Sequence, residues 1–355
     1  MLSFKQNFRQ REPFKPRFFF SILMIILIFG CEESIAIDKS LLGQENAVWS
    51  ESIYLRGTQP STGEKLTEND LKEYAETLRE NHIKYAYLFS GPYQNDGHLP
   101  RYPFTQLAKE SVRKLKAYYP EIIILPWIGG IQNKTVYLGD SLWTENALKD
   151  TKRLIDYLEV PGVHVDFEYI VKGNPYLDRT VSREKAGDND AYPNNVNYFH
   201  ERLRKLVPDA FISSVVVATP TGTQSWKRKT STKELEGLVP YVDQLSFLFF
   251  DTMIDSQELF ETNCVAQVKD IQTLKELNPD TQFLISVGTF VNREELHNFR
   301  NLKIESVPNT LKTIQRSILN VNQEEKLVDG ISIYCDWQTE ESEWKSFRKH
   351  WSKKE

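Results

Sequence analysis

From residue 47 to the C-terminus, short apolar runs alternate with amphipathic segments eight times, and few folds accommodate that rhythm. The strand-like runs are Ala47–Leu55, Lys84–Phe89, Glu121–Trp127, Gly162–Tyr169, Phe211–Ala218, Asp243–Phe250, Thr281–Phe290 and Gly330–Trp337. Between them apolar residues return at helical spacing. Leu71, Tyr74, Ala75 and Leu78 follow Thr67, an N-cap with Asp70 three residues on, the pattern of a capping box. Phe104, Leu107, Ala108, Val112 and Leu115 make a second stripe, and Leu148, Thr151, Ile155 and Leu158 a third behind a helix start near Thr144. Val196, Phe199, Leu203 and Leu206 continue the series, as do Leu311, Ile314, Ile318 and Leu319. Strands covered on both faces read as near-continuous apolar runs. Eight strand–helix units at a spacing of roughly 40 residues fit the length of an eight-unit barrel. The expectation is an α/β chain folded as a single (β/α)8 TIM barrel over residues 46–355. An open doubly wound sheet would want a glycine-rich nucleotide turn after its first strand, where Arg56-Gly57-Thr58 offers one glycine. Gly129-Gly130 is read as the turn after strand three, and 171–195 as an irregular segment too long for a plain connection.

The N-terminus follows different rules. Lys5, Arg9, Arg11, Lys15 and Arg17 precede an apolar run, Phe18–Phe29, that is too short to span a bilayer and suits a signal segment. The run ends Leu27-Ile28-Phe29-Gly30-Cys31, which resembles a bacterial lipobox, with Phe29 bulky for its place. Residues 1–30 are expected to be a lipoprotein signal peptide, Cys31 the lipidated residue and 31–45 a polar tether. An uncleaved anchor helix or a plain signal peptide are the alternatives. A lipidated protein would sit on a membrane of the bacterial cell envelope, on its periplasmic or cell-surface face. The full chain has 44 basic against 49 acidic residues, so nucleic acid is not expected as a partner. Three cysteines, Cys31, Cys264 and Cys335, make neither a disulfide framework nor a metal-binding spacing. Metal helices, phosphate loops and serine nucleophile elbows are absent from the sequence, and no cofactor is expected. Oligomeric state has no signal in the sequence.

The chemistry-bearing stretch is Gly162–Tyr169. Side chains alternate across a strand, so Val163, Val165 and Phe167 share one face and His164, Asp166 and Glu168 the other. Three ionisable groups in a row are costly to bury unless paired or used. In a parallel barrel that face lines the interior, and Glu168 stands near the strand's C-terminal end, where barrel active sites form. Each residue also has a plain reading: Glu168 in a rim ion pair, Asp166 as a hydrogen-bond acceptor, His164 as a satisfied core histidine, Asp251 as a turn cap, and Trp127 and Trp337 as core. The basic run Trp226-Lys227-Arg228-Lys229 reads as a solvated loop, with an anionic subsite as its functional alternative.

Taken in order, these places resemble the chitinase-type barrels of glycoside hydrolase family 18. That family's strand-four motif is Asp-Gly-x-Asp-x-Asp-x-Glu, and Gly162, Asp166 and Glu168 match it, with Pro161 and His164 in place of the first two aspartates. Gly129-Gly130 answers a Ser-x-Gly-Gly end of strand three, Leu248-Phe249-Phe250-Asp251 a Met-x-Tyr-Asp end of strand six, and Trp337 a tryptophan near the end of strand eight. The resemblance implies a retaining glycosidase of N-acetylglucosamine-containing glycans in which the substrate's acetamido oxygen is the nucleophile. Glu168 would be the general acid, Asp166 would orient the acetamido group, and Asp251 would hydrogen-bond the same region. Trp127 and Trp337 would stack on sugar, with Phe250, Tyr334 and His164 completing the substrate site. Phe250 lacks the family's tyrosine hydroxyl, for which Tyr334 is a candidate substitute, and a neutral His164 could donate to Asp166. Two other readings follow: a glycan-binding lipoprotein without catalysis, and a two-carboxylate glycosidase with Asp251 as nucleophile or base.

Overall fold

The computed structural model of the chain describes residues 37–59, 62–131, 134–168, 192–217, 231–289 and 300–352. Eight parallel strands close in sequence order: β1 Ala47–Ser50, β2 Tyr85–Phe89, β3 Ile123–Ile131, β4 Gly162–Glu168, β5 Phe211–Val216, β6 Gln244–Leu248, β7 Gln282–Gly288 and β8 Gly330–Tyr334. β1 pairs with both β2 and β8, which seals the barrel. The helices are α1 Ile53–Arg56, α2 Glu68–Glu80, α3 Gln106–Tyr118, α4 Ser141–Leu158, α5 Tyr192–Leu206, α6 Thr232–Glu236, α7 Gln257–Leu277, α8 Val307–Val321 and α9 Glu341–His350. The fold is the single (β/α)8 barrel the alternation demanded.

Local chemistry sets the element ends. Thr67 and Asp70 form the reciprocal capping box expected at the start of α2. Asp140 accepts from the backbone N–H of Trp143, so α4 begins at Ser141 rather than near Thr144. The chain leaves β1 after Ser50 and turns at once into α1, so the strand-like run to Leu55 is half strand and half helix. Leu107 and Leu206, placed on apolar stripes by spacing, are instead exposed at the stripe edges.

Strand three departs most from expectation. Gly129 and Gly130 are not a turn; they lie inside β3, which stays paired with β4 as far as Ile131 opposite Glu168. Their φ values, 146° and 137°, belong to glycine. A Cβ on Gly129 would stand 1.9 Å from the carbonyl oxygen of Asp166. The glycine pair therefore lets the β3 backbone lie against the segment that carries the acids.

Two apolar cores nest around the sheet. Val163, Val165 and Phe167 belong to the outer core between strands and helices, where Phe167 meets Phe199 of α5 edge-on at 4.9 Å. Trp49, Tyr85, Tyr87, Leu125 and Leu284 pack inside the barrel. The inner core also holds a polar column. Lys84 Nζ and the Tyr85 hydroxyl donate to Glu45 at 2.6 and 2.9 Å, and Gln282 Nε2 donates to the same carboxylate at 3.2 Å. Gln244 Nε2 donates to Gln282 at 2.9 Å, and Ser213 Oγ donates to Gln244 at 2.8 Å. The column starts in the stretch expected to be a polar tether. Its described part is packed rather than free: Leu41 and Leu42 are buried, and Trp351 Nε1 donates to the Gly43 carbonyl at 2.9 Å.

Candidate active site

At the C-terminal mouth, above this plugged interior, the row on β4 points inward as alternation requires. His164 is lowest. It is fully buried and lies flat on Tyr87, ring centres 3.7 Å apart. Trp49 Nε1 donates to its Nε2 at 3.1 Å, which leaves Nδ1 to carry the proton and donate to Ser213 Oγ at 2.8 Å. Burial holds its pKa well below the usual imidazole value, so it is neutral. Both nitrogens are engaged inside the barrel. His164 therefore does not donate to Asp166, and its hydrogen bonds are those of a satisfied core histidine.

Asp166, one repeat higher, is buried. Trp127 Nε1 donates to its Oδ2 at 2.9 Å, while its Oδ1 is shut off from solvent and has no hydrogen-bond partner. Burial raises the pKa of this carboxyl well above the ordinary value, the charge of Glu168 adds to the rise, and the Trp127 hydrogen bond works against it. Glu168 ends the strand, half-buried at the mouth.

Aromatic rings wall the same space. Tyr334, the last residue of β8, stacks on Phe250 with centres 5.0 Å apart and planes 2° from parallel. It meets Trp127 edge-on at 6.2 Å and Trp337 at 5.8 Å. Burial raises the Tyr334 hydroxyl pKa well above its usual value, and the charges of Cys335, Glu168, Asp166 and Asp251 push the same way. Tyr334 thus places a hydroxyl within the field of these acids, where Phe250 offers none. Trp337 follows β8 in a 3-10 turn, Asp336–Gln338, rather than within the strand.

Asp251 is held from below. Its φ of 51° is unusual for a residue with a Cβ. The buried Arg300 donates to its Oδ1 through Nε at 3.0 Å and through Nη2. Next to it, Thr252 donates to Glu305 through its N–H at 3.0 Å and through its hydroxyl. Burial lifts Glu305 to about 7, helped by the charge of Asp251 and opposed by Thr252 and Arg300. Neither Arg300 nor Glu305 was marked by the sequence; each precedes α8 with no motif around it.

That carboxyl sets a pH dependence. Between about pH 4.5 and 7 the unfolded chain has released the proton that folded Glu305 still holds, so its contribution to stability falls as pH rises through that window. His164 and His200, both lowered by burial, act oppositely: the unfolded chain takes up protons below about pH 6.5 that the fold refuses. Glu305→Gln is expected to match the parent's stability at pH 4 and exceed it at pH 8 by on the order of 3 kcal/mol. Chemical denaturation at the two pH values measures this, and an unchanging difference would contradict it.

No protein-family model matches the sequence, and no curated protein matches it. Solved structures do match. A chitinase from Rhizomucor miehei aligns over 86% of this chain and 99% of its own, at 11% identity and a TM-score of 0.54. The spore cortex-lytic enzyme SleL of Bacillus cereus aligns over 86% and 74%, at 12% identity and 0.52. The barrel has the fold of these solved chitinase structures. A GH18 chitinase from Pseudoalteromonas aurantia gives the same result, with 13% identity, 86% and 98% coverage and a TM-score of 0.51. At these identities the chitinase-type likeness is one of fold, and its divergence in sequence agrees with the substitutions at Pro161, His164 and Phe250.

Proposed function

We propose that this protein is a glycoside hydrolase of N-acetylglucosamine-containing glycans, working by the retaining, substrate-assisted route with Glu168 as general acid. One observation carries the reading: Asp166 Oδ1, buried and without a donor, lies on the same inward row as Glu168. An orphaned buried acceptor is costly, and a substrate acetamido N–H would satisfy it. Trp127 fixes the other oxygen, so the carboxyl is already turned for that contact. Accepting this N–H would orient the acetamido oxygen for attack on the anomeric carbon while Glu168 protonates the leaving oxygen. Tyr334 supplies the hydroxyl that Phe250 lacks, and its ring, with Trp127 and Trp337, gives a pyranose apolar faces to lie on.

A two-carboxylate scheme through Asp251 is less favoured, because the Arg300 guanidinium already occupies its Oδ1. The binding-only alternative rests on Phe250 alone. For location, the lipobox-like Leu27–Cys31 lies outside the described residues; we read the enzyme as lipid-anchored in a bacterial cell envelope on the sequence pattern. The test of function is turnover of a chitooligosaccharide or N-glycan core, followed by NMR of the first-formed anomer. Retention together with inhibition by a thiazoline analogue is the expected result. An inverted product would remove the substrate-assisted scheme, and binding without turnover would favour the binding-only reading.

A further inference from the structure

A recess of about 600 Å³ lies behind the end of β2, lined by Arg56 of α1, the loop that leaves β2, and Tyr102. Arg56 is half-buried and held in place. Its Nε donates to Ser52 Oγ at 2.9 Å, and its guanidinium carbon stands 3.8 Å over the centre of the Tyr102 ring. It also lies beside the Tyr102 hydroxyl, whose pKa burial raises and the Arg56 charge lowers. Among the described residues no carboxylate meets Arg56, nor Arg101 and Lys134, the chain neighbours of the lining residues Tyr102 and Thr135. Elsewhere on the helix shell cations are matched: Lys109 with Glu159, Lys152 with Asp156, Arg204 with Asp243. Asp96 is the one acid in the lining, and its Oδ1 accepts from the His98 N–H at 3.1 Å. Tyr102 ties the recess to the barrel mouth. Its hydroxyl donates to the carbonyls of Phe89 and Gly91 at 3.1 and 3.2 Å, while the Phe89 ring meets Trp127 edge-on at 4.6 Å. The end of β2 is thus a thin partition between the two spaces.

We infer that this recess holds a carboxylate borne by the glycan, so that the substrate is a carboxylate-substituted hexosamine chain. The inference rests on the glycan reading of the mouth, from which a chain crosses the end of β2. A half-buried cation without a counter-charge is costly, and the Tyr102 ring fixes the plane of this one before any ligand arrives. With Nε on Ser52, the remaining N–H groups belong to the two terminal nitrogens. A carboxylate matches that planar pair with two parallel hydrogen bonds. A single negative charge also suits the lining better than a double one, because Asp96 repels either and repels a dianion more. Arg56, Arg101 and Lys134 outnumber that acid and draw anions to this side of the rim. The exposed amides of Gln94 and Asn95 offer donors and acceptors to sugar hydroxyls.

The test is calorimetric titration of the full chain in the Glu168→Gln background, where turnover does not interfere. The probes are a tetrasaccharide alternating N-acetylglucosamine with N-acetylmuramic acid, its carboxyl methyl ester, and an N-acetylglucosamine tetramer, with inorganic phosphate as competitor. The acid is expected to bind about tenfold tighter than its ester, the worth of a hydrogen-bonded charge, and to lose part of that margin at high salt. Arg56→Gln is expected to abolish the margin and leave the ester's affinity unchanged. Should that variant fold poorly, Arg56→Lys keeps the charge and the stem but not the fork, and is expected to cut the margin about threefold. Equal binding of acid and ester, or a full margin in a folded Arg56 variant, would overturn the inference. So would displacement of the acid by phosphate at equal concentration, which would assign the recess to simple anions. An Arg56-dependent margin without any binding of the N-acetylglucosamine tetramer would count against the mouth's assignment and not against the recess's.

Discussion

Glu168→Gln is expected to lower glycan hydrolysis by about 10²–10⁴-fold, the contribution of a positioned general acid, while the melting temperature stays unchanged. The substitution is isosteric at a half-buried strand end, so it opens no cavity. Oligosaccharide affinity, read by calorimetry, should stay within a few-fold of the parent, because the aromatic walls and Asp166 remain. Activity within tenfold of the parent would remove Glu168 from the acid role. The same variant has a second readout. The charge of Glu168 helps raise the Asp166 pKa, so its removal should let Asp166 titrate lower, though burial keeps it above the ordinary carboxylate value. Carboxyl-selective NMR on the variant would show that downward move.

The reason one substitution can be this specific lies in how the barrel separates its tasks. His164, Ser213, Gln244, Gln282 and Glu45 form a hydrogen-bonded column that fills the interior from below. Above it Asp166 is the first acceptor left open. The column is structural, and chemistry begins one strand repeat higher.

Much of this was legible in the chain. The strand–helix alternation required the barrel, and the period of two on β4 placed His164, Asp166 and Glu168 on the inward face, with Val163, Val165 and Phe167 out toward the helices. Alternation says which face a residue takes but not what meets it there. The partners of His164 come from β1 and β5, at sequence separations of 115 and 49, and no local pattern announces them. Gly129 and Gly130 looked like a turn because glycine pairs commonly are one; their strand role depends on how closely β4 approaches. Arg300 had no signal of its own, since its meaning comes from Asp251, 49 residues earlier.

Arg300→Met is expected to destabilise the protein by about 3–5 kcal/mol at pH 8, the usual consequence of removing one member of a buried ion pair. Arg300 is 5% exposed and donates twice to Asp251. Its charge also lowers the pKa values of Glu305 and Glu343, which burial drives up to about 7 each. Without the guanidinium the repulsion between Asp251 and Glu305 stands, and Glu305 and Glu343 both lose a cation that favours their charged forms. Proton binding then relieves the strain on Glu305 and Glu343, so the loss should shrink as pH falls toward 5, where both are neutral. Adding Asp251→Asn to Arg300→Met should recover much of the stability at pH 8, because the most strongly paired charge is gone. It should not recover hydrolysis if Asp251 serves the acetamido region. Urea denaturation of the parent, the single and the double variants at pH 5 and 8 measures the cycle. A single variant within 1 kcal/mol of the parent at pH 8 would mean that Asp251 does not depend on Arg300, and a double variant with parental turnover would mean that Asp251 takes no part in the chemistry.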